Sequence, residues 1–330
     1  MAQLEELVLE LANRCPLSCR HCSSQSGPRC RQALTSDVVL HLIEDAHREG
    51  ASQISFGGGE PTSCDLFFSA LMLTQSLGMR SEVFTCGVGF SDRDQPCPLS
   101  VALIEKMAAV PNLRLIFSFH GADELTHDSI TTVAGSFSYT RSSLEACLAA
   151  GLACEANFVP LKPNARALEP LALLLARKGV SKLSILRFVP QGRGLSNAGE
   201  LLLSREEETR FLDELVQLRS RRILEIRTGS PFNGVVPGSL VPCRAGTGKL
   251  VVQPDGNIIP CEVFKQQERR SWGLNIYRHR LGDVTKSTAL CTLRHSLDEL
   301  GNLTCPIHGD CGSLPLESMT DGLSRREVRV

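Results

Sequence analysis

Three cysteines that could bind a metal lie close together near the start of the chain. Cys15, Cys19 and Cys22 follow the spacing C-x3-C-x2-C, just after the apolar segment Leu7–Leu11, which predicts a buried strand. Thiolates are typical ligands of zinc and of iron–sulfur clusters. Three of them can hold three irons of a 4Fe–4S cluster and leave the fourth iron open for another ligand. The spacing therefore predicts a metal centre with one open position.

Zinc and haem sites are less well supported at this motif. A closed zinc site needs a fourth ligand nearby, but Cys30 lies eight residues beyond Cys22, across a Gly27-Pro28 break. His21 stands between two of the cysteines, where it could hardly join them. Haem attachment needs histidine straight after the second cysteine of C-x2-C, and Ser23 occupies that place.

A glycine-rich stretch, Gly57-Gly58-Gly59-Glu60-Pro61, follows the next predicted strand, Gln53–Phe56. Glycines allow a backbone to approach a ligand closely, because no Cβ intervenes. Glu60 can offer a carboxylate to a cation. Such a run alone predicts only a turn, but its place after the three cysteines favours a binding site.

Together, the three cysteines and the Gly-Gly-Glu-Pro stretch resemble the signature of the radical S-adenosylmethionine (SAM) superfamily. The resemblance implies that the open iron chelates the amino and carboxylate groups of SAM, and that Gly58, Gly59 and Glu60 hold its amino group. It also implies reductive cleavage of SAM to methionine and a 5'-deoxyadenosyl radical. That radical abstracts hydrogen from an unactivated carbon of a substrate.

The composition is that of an ordinary intracellular globular protein. The chain has 330 residues, 42% of them hydrophobic, and a formal net charge of −1, so charge gives no case for nucleic-acid or membrane partners. The longest apolar stretch, Leu171–Ala176, is too short to cross a bilayer, and Met1–Glu6 is not a signal segment. Fourteen cysteines in a chain of this kind indicate metal or redox chemistry. We expect a cytoplasmic enzyme.

Strands and amphipathic helices alternate along the chain, and most helices stop at a glycine. Strands are predicted at Leu7–Leu11, Gln53–Phe56, Glu82–Thr85, Leu113–Phe119, Ala153–Val159, Lys182–Val189 and Ile223–Arg227. This order predicts a parallel α/β architecture. The resemblance implies a partial (βα)6 TIM-like barrel, which binds ligands at the carboxyl ends of its strands.

Polar residues at other strand ends are further candidates for the SAM site. The resemblance implies that Ser118, His120, Asn157 and Arg187 contact the ribose and carboxylate of SAM. The alternatives are that Asn157 satisfies a buried backbone group and that Arg187 pairs with a surface acid. The segment Gly192–Gly199 predicts a mobile loop near the barrel mouth, a candidate lid.

Two more cysteines flank a predicted hairpin in the last third of the chain. Cys243 and Cys261 lie on either side of Lys249–Val252 and Asn257–Ile259, which surround the turn Pro254-Asp255-Gly256. The region resembles the auxiliary-cluster domain of the SPASM and Twitch subfamilies. Leu281–Val284 predicts an extra strand beyond it.

The last cysteines keep only part of the SPASM pattern, C-x2-C-x5-C-x3-C. Cys305 and Cys311 match its centre, but Asn302 and Pro315 occupy its outer positions. The resemblance therefore implies one auxiliary 4Fe–4S cluster, with Cys291 as a substitute ligand; its four expected ligands are Cys243, Cys261, Cys305 and Cys311. A structural zinc site is the alternative. We expect a radical SAM core at 1–232 and an auxiliary-cluster domain at 233–330, with a disordered tail at 316–330.

Cys64 and Cys86 both follow predicted strand ends. A thiol at such a place bears on which reaction the enzyme catalyses, because it could donate a hydrogen atom to a substrate radical. Cys86 is the candidate hydrogen-atom donor that a redox-neutral epimerisation would need, whereas packing is the usual role of such a thiol. An auxiliary cluster would instead accept an electron from the substrate radical, which fits dehydrogenation or crosslinking.

The substrate class stays open between a small molecule and a peptide. The first predicted strand begins near residue 6, so we expect no leader-recognition domain, and a small metabolite or a peptide delivered by a separate partner. An electron donor such as flavodoxin or ferredoxin is implied. The non-enzymatic alternative is a zinc-stabilised, cysteine-rich binding protein.

Overall fold

A nine-stranded sheet organises the protein, as seen in a computed structural model that describes residues 3–265 and 273–299. Seven of its strands are parallel and follow chain order: β1 Glu6–Ala12, β2 Gln53–Gly58, β3 Arg80–Thr85, β6 Leu113–Ser118, β7 Ala153–Phe158, β8 Lys182–Ile185 and β9 Glu225–Thr228. A small separate hairpin consists of β4 Val88–Phe90 and β5 Pro96–Pro98. The parallel barrel-type architecture is confirmed.

Helices connect the parallel strands and cover the outside of the sheet. They are α1 Ser36–Arg48, α2 Phe67–Ser76, α3 Val101–Ala108, α4 Glu124–Thr131, α5 Ser136–Ala149, α6 Leu168–Lys178, α7 Arg193–Ser196, α8 Ala198–Leu201 and α9 Arg205–Arg221. The first helix shows the principle, since it buries Val39, Leu42, Ile43 and Ala46 on one face. Two further helices, α10 Leu281–Val284 and α11 Thr288–Glu299, follow the last strands.

Strand β1 is buried on both faces, but its two faces differ in chemistry. In β1, Leu7, Leu9 and Leu11 belong to the main apolar core, whereas Glu6 and Glu10 line an internal cavity. This alternation is the two-residue period of a strand. The helix side of the sheet is therefore a dry core, and the concave side carries polar groups.

A belt of alternating charges crosses the inner face near the amino ends of the strands. Arg114 lies 3.1 Å from Glu82 and 3.2 Å from Glu155, and Lys182 lies 3.3 Å from Glu155 and 3.4 Å from Glu225. Each partly buried carboxylate thus has a cationic partner on a neighbouring strand, as burial of charge requires. The belt therefore gives the carboxylates of the inner face cationic partners.

The predicted cysteine-flanked hairpin is confirmed. Strand β10, Lys249–Val252, pairs antiparallel with β11, Ile258–Ile259, and the turn contains Gly256 at φ +81°. Strand β10 also pairs parallel to β1, so the hairpin extends the main sheet. The division of the chain after residue 232 stays a prediction.

The predicted extra strand at Leu281–Val284 is wrong, because this segment forms the single helical turn α10. Leu281 and Val284 are both fully buried. Residues three apart share one face of a helix but point to opposite faces of a strand. Burial of this pair against one surface therefore favours the helix.

No helix in residues 3–265 and 273–299 is long and apolar enough to cross a membrane.

Candidate functional site

The three N-terminal cysteines occupy one loop between β1 and α1, and all three line the same cavity of about 600 Å³. The loop is tied to α4 at two points. The amide of Ser18 donates to the carbonyl of Thr131 at 3.2 Å, and the amide of Arg20 donates to that of Ile130 at 2.8 Å. The position of the thiols is thus set by backbone hydrogen bonds rather than by local sequence alone.

The chemistry of this thiol set fits an iron–sulfur cluster. Burial raises the pKa of Cys19 well above its usual value, and the neighbouring Cys15 and Cys22 raise it further. Three adjacent thiolates repel one another, so their ionised form needs a bound cation. Within the described part of the chain, no three side chains among His, Cys, Asp and Glu are already drawn together around one metal position. The ligand assignment therefore stays a prediction.

The glycine-rich loop lies directly against the cysteine loop. The amide of Gly59 donates to the carbonyl of Ala12 at 2.7 Å, and the amide of Glu60 donates to that of Arg14 at 2.9 Å. A Cβ on Gly59 would lie 2.1 Å from the Arg14 carbonyl oxygen, and one on Gly58, at φ +107°, would lie 2.5 Å from that of Ala12. Only glycine allows this approach. Gly57, Gly58 and Gly59 all line the cavity.

The Glu60 side chain connects two strand ends. Its carboxylate, 2% exposed, accepts hydrogen bonds from Thr62, Thr85 and Cys86. Burial raises its pKa, although the bonds from Cys86, Thr62 and Thr85 oppose that shift. The carboxylate is thus already engaged, and its contact with SAM stays a prediction. The same holds for Cys86 as hydrogen donor, since its thiol donates to Glu60 at 3.0 Å.

The other predicted strand-end residues meet in this cavity. Ser118, His120, Asn157 and Arg187 all line it, and Ser118 is in register with Asn157 on the neighbouring strand. Arg187 also pairs with Glu208 at 3.1 Å. The alternative interpretation of Arg187, pairing with an acid, is therefore observed. A contact between Arg187 and SAM stays a prediction.

The prediction of a loop at 192–199 is wrong, because α7 and the start of α8 lie in this segment. Its backbone and side chains hold the cysteine loop: Arg193 donates to the carbonyls of Cys19 at 2.9 Å and Ser26 at 2.6 Å, and Asn197 donates to that of Arg20 at 3.0 Å. Sequence analysis missed this role, because these partners lie more than 160 positions apart along the chain.

A buried lysine links the segment after the hairpin to β1 and to the cysteine loop. Lys265 pairs with Glu10 and donates to the hydroxyl of Ser24 at 2.8 Å, and both charged side chains are buried. The sequence held a signal for this pair, since Glu10 lies between apolar residues of a buried strand, where an unpaired acid is rare. The segment 262–265 therefore forms part of the cavity wall.

Three histidines lie in a row beside the cysteine loop. The rings of His21 and His120 are 4.7 Å apart, and those of His120 and His127 are 5.2 Å apart. Nδ1 of His127 accepts the backbone amide of His120 at 3.2 Å, so neutral His127 carries its proton on Nε2. Burial lowers the pKa of all three, to about 4 for His21 and His127. The three histidines are therefore uncharged at neutral pH.

The hairpin cysteines also come together. Cys243 is buried and Cys261 is half-buried in one small apolar cluster with Val251 and Ile259 of the hairpin. This arrangement fits two ligands of one metal centre. Cys291 is exposed on α11, and the other two predicted ligands, Cys305 and Cys311, lie outside the described residues. The auxiliary-cluster assignment stays a prediction.

The family model described as "Radical SAM superfamily" matches residues 9–174, half of the chain. The chain therefore belongs to the radical SAM superfamily. Membership confirms the resemblance drawn from the two N-terminal motifs, and with it the cofactor pair of a 4Fe–4S cluster and SAM.

Similar proteins are named as a maturase and a peptide cyclase. The mycofactocin maturase MftC of Mycolicibacterium smegmatis is 29% identical over 263 residues, which cover 77% of this chain and 63% of the relative. The PqqA peptide cyclase of Xanthomonas axonopodis pv. citri is 25% identical over 285 residues, covering 84% and 73%. The chain thus spans less than two thirds of the length of the mycofactocin maturase that it matches.

Solved structures show the same fold. Streptococcus suis SuiB bound to S-adenosylmethionine matches with a TM-score of 0.71 at 17% identity, over 90% of this chain and 68% of that one. Native anSMEcpe with bound AdoMet matches with a TM-score of 0.66 at 17% identity, over 86% and 81%. At this level of identity, the likeness supports the barrel fold alone.

Replacing Gly59 with alanine should destabilise the protein by about 2 kcal/mol or more, because the new Cβ must push two backbones apart. Gly57→Ala is the matched control, since its Cβ would meet only Phe84 at 3.9 Å, and should cost less than about 1 kcal/mol. Urea unfolding of the two variants and the wild type measures both. Equal stability of the two variants would contradict the close contact of the loops.

Replacing His127 with glutamine should flatten the loss of stability in mild acid. Burial lowers the pKa of His127 from 6.5 to about 4 in the folded chain, although Asp128 and Asp123 oppose the shift. As the pH falls from 6.5 towards 4, the unfolded chain takes up a proton that the folded chain does not. The stability contributed by this group is therefore complete above pH 6.5 and is lost on the way to pH 4.

Between pH 7.0 and 5.5, the wild type should lose about 1 kcal/mol that the His127→Gln variant keeps. Urea unfolding at the two pH values gives the difference. His41→Gln, an exposed position on α1, is the control and should follow the wild type. Parallel pH profiles for His127→Gln and the wild type would show that His127 is not buried in its neutral form.

Proposed function

We propose that this chain is a radical SAM enzyme that modifies a peptide, with its 4Fe–4S cluster held by Cys15, Cys19 and Cys22. The observation that carries the proposal is the contact between the cysteine loop and the glycine-rich loop at the carboxyl ends of parallel strands, where both line one cavity. When bound, the cluster and SAM supply a 5'-deoxyadenosyl radical for hydrogen abstraction.

The residues of the chain bind and orient SAM in this proposal. The backbone of Gly57–Gly59, which lines the cavity, takes the methionine end, next to the thiols, and Glu60 receives its ammonium group. Ser118, Asn157 and Arg187 line the wall beyond and would hold the ribose and carboxylate. These groups sit on rigid strands and strand ends, which favours accurate positioning of a reactive carbon.

A peptide is the substrate class that the relatives favour over a small metabolite. Their names are those of a maturase and a peptide cyclase, and one matching structure is SuiB bound to its precursor peptide SuiA. The cavity of about 600 Å³ lies in the range of ligand pockets. We place the chain in the SPASM/Twitch type, as a peptide maturase.

An oxidative modification, such as crosslinking, is the favoured outcome. The substrate would lose a hydrogen atom to the 5'-deoxyadenosyl radical, then one electron to an auxiliary cluster and one proton to solvent or a side chain. Cys243 and Cys261, packed together at the base of the hairpin, are the proposed ligands of that cluster, with Cys305 and Cys311. An epimerisation would instead need a hydrogen-atom donor, for which the Cys86 thiol is the candidate.

An external reductant of the flavodoxin or ferredoxin class would supply the electron that cleaves SAM. Oxidoreductase-type chemistry of this kind needs reduced thiols, which favours the cytoplasm.

Anaerobically reconstituted wild type should form 5'-deoxyadenosine from SAM in the presence of dithionite, because the radical is quenched by hydrogen abstraction when no substrate is present. The Cys19→Ala variant should lose this activity by at least about 100-fold, since two thiolates cannot retain the site-differentiated cluster. Cys97→Ala, a thiol on β5 that does not line the cavity, should match the wild type. Equal turnover by the Cys19→Ala variant, or a wild type loaded with zinc in place of iron, would contradict the proposal.

A further inference from the structure

The carboxylate of Glu60 already accepts enough hydrogen bonds to leave no room for another donor. Oε1 accepts the Thr62 amide at 3.2 Å, the Thr62 hydroxyl at 2.6 Å and the Thr85 hydroxyl at 2.8 Å. Oε2 accepts the amide of Cys86 at 2.8 Å and its thiol at 3.0 Å. A carboxylate has about four lone-pair sites, so these five donors fill it. Any ligand that binds Glu60 must displace one of them.

The Cys86 thiol is the donor that leaves at the lowest cost. A thiol is a weak donor, and Cys86 lines the cavity from which a ligand would enter. The Thr85 hydroxyl is fixed from its other side, because it accepts the amide of Gly87 at 2.9 Å. The Cys86 sulfur also lies 3.6 Å from the carbonyl of Val88. The S–H proton can therefore turn to Val88 without losing a hydrogen bond.

We propose that Cys86 is a positioning residue that reserves one lone pair of Glu60 Oε2 for the ammonium group of an amino-acid ligand. The thiol donates to Glu60 in the free protein and turns to the carbonyl of Val88 when the ammonium arrives. This inference rests on the proposed function, in which the ammonium belongs to SAM. The exchange is favourable, because a charged donor bonds to a carboxylate more strongly than a neutral thiol does.

The Cys86 thiol thus has two effects on Glu60. It satisfies a buried carboxylate oxygen that would otherwise lose a partner, and it competes with the ligand for that oxygen. Removing the competitor should tighten SAM binding, whereas a stronger competitor should weaken it. Two substitutions at Cys86 therefore have opposite expected effects.

The experiment measures the Kd of SAM by equilibrium dialysis, using full-length, anaerobically reconstituted protein with matched iron and sulfide content. Cys86→Ala should bind SAM about three- to tenfold more tightly than the wild type, and Cys86→Ser about three- to tenfold more weakly, because a hydroxyl is the better donor. Cys97→Ala and Cys97→Ser are the matched controls and should bind as the wild type does. The analogue of SAM that lacks the α-amino group should bind all of these proteins equally.

Opposite shifts for SAM, with no shift for the deaminated analogue, would establish the role of Cys86. Shifts in the same direction, Kd values within about twofold of the wild type, or an equal shift for the analogue would overturn it. Should one Cys86 variant fail to fold, the sign of the other decides. A cluster-loaded wild type that binds no SAM would overturn the proposed function and this inference together, whereas wild-type binding with unchanged variants would overturn the inference alone.

Discussion

The backbone contact between the cysteine loop and the glycine-rich loop is the constraint on which the rest of the site depends. Gly59 lies so close to Arg14 that a single Cβ would stand 2.1 Å from its carbonyl oxygen. Two hydrogen bonds between the loops hold that approach. The contact places three thiols and the glycine backbone at one rim of the cavity, where we propose that a cluster and the amino-acid end of SAM meet.

The remaining structure serves to hold these two loops in place while keeping the cavity polar. Arg193 and Asn197 bind the cysteine loop from α7 and its end, and Lys265, paired with Glu10 of β1, donates to Ser24 of the loop. The charge belt of Arg114 and its neighbours supports the polar inner face of the barrel. Ion pairs of this kind contribute little net stability, so their main effect is on the shape and charge of the cavity.

Much of the fold could be predicted because it depends on local patterns. The buried run at β1, the glycine stops of the helices and the Pro-Asp-Gly turn of the hairpin are each encoded within a few residues. The errors lie where local pattern is weak. Leu281–Val284 is too short to show a period, and the glycines at 192–199 gave no sign of the hydrogen bonds that Arg193 makes to a loop more than 160 positions away. The saturation of Glu60 was equally invisible, since Thr85 and Cys86 reach it from the next strand.

The central claim is that three thiols hold a cluster whose open iron binds SAM. The most direct measurement is electron paramagnetic resonance of the dithionite-reduced Cys243→Ala variant, which removes a proposed ligand of the auxiliary cluster, with and without SAM. The account predicts a reduced 4Fe–4S signal whose g values change when SAM is added and that is absent from the Cys19→Ala, Cys243→Ala double variant. A signal that SAM leaves unchanged, or one that survives the loss of Cys19, would contradict it.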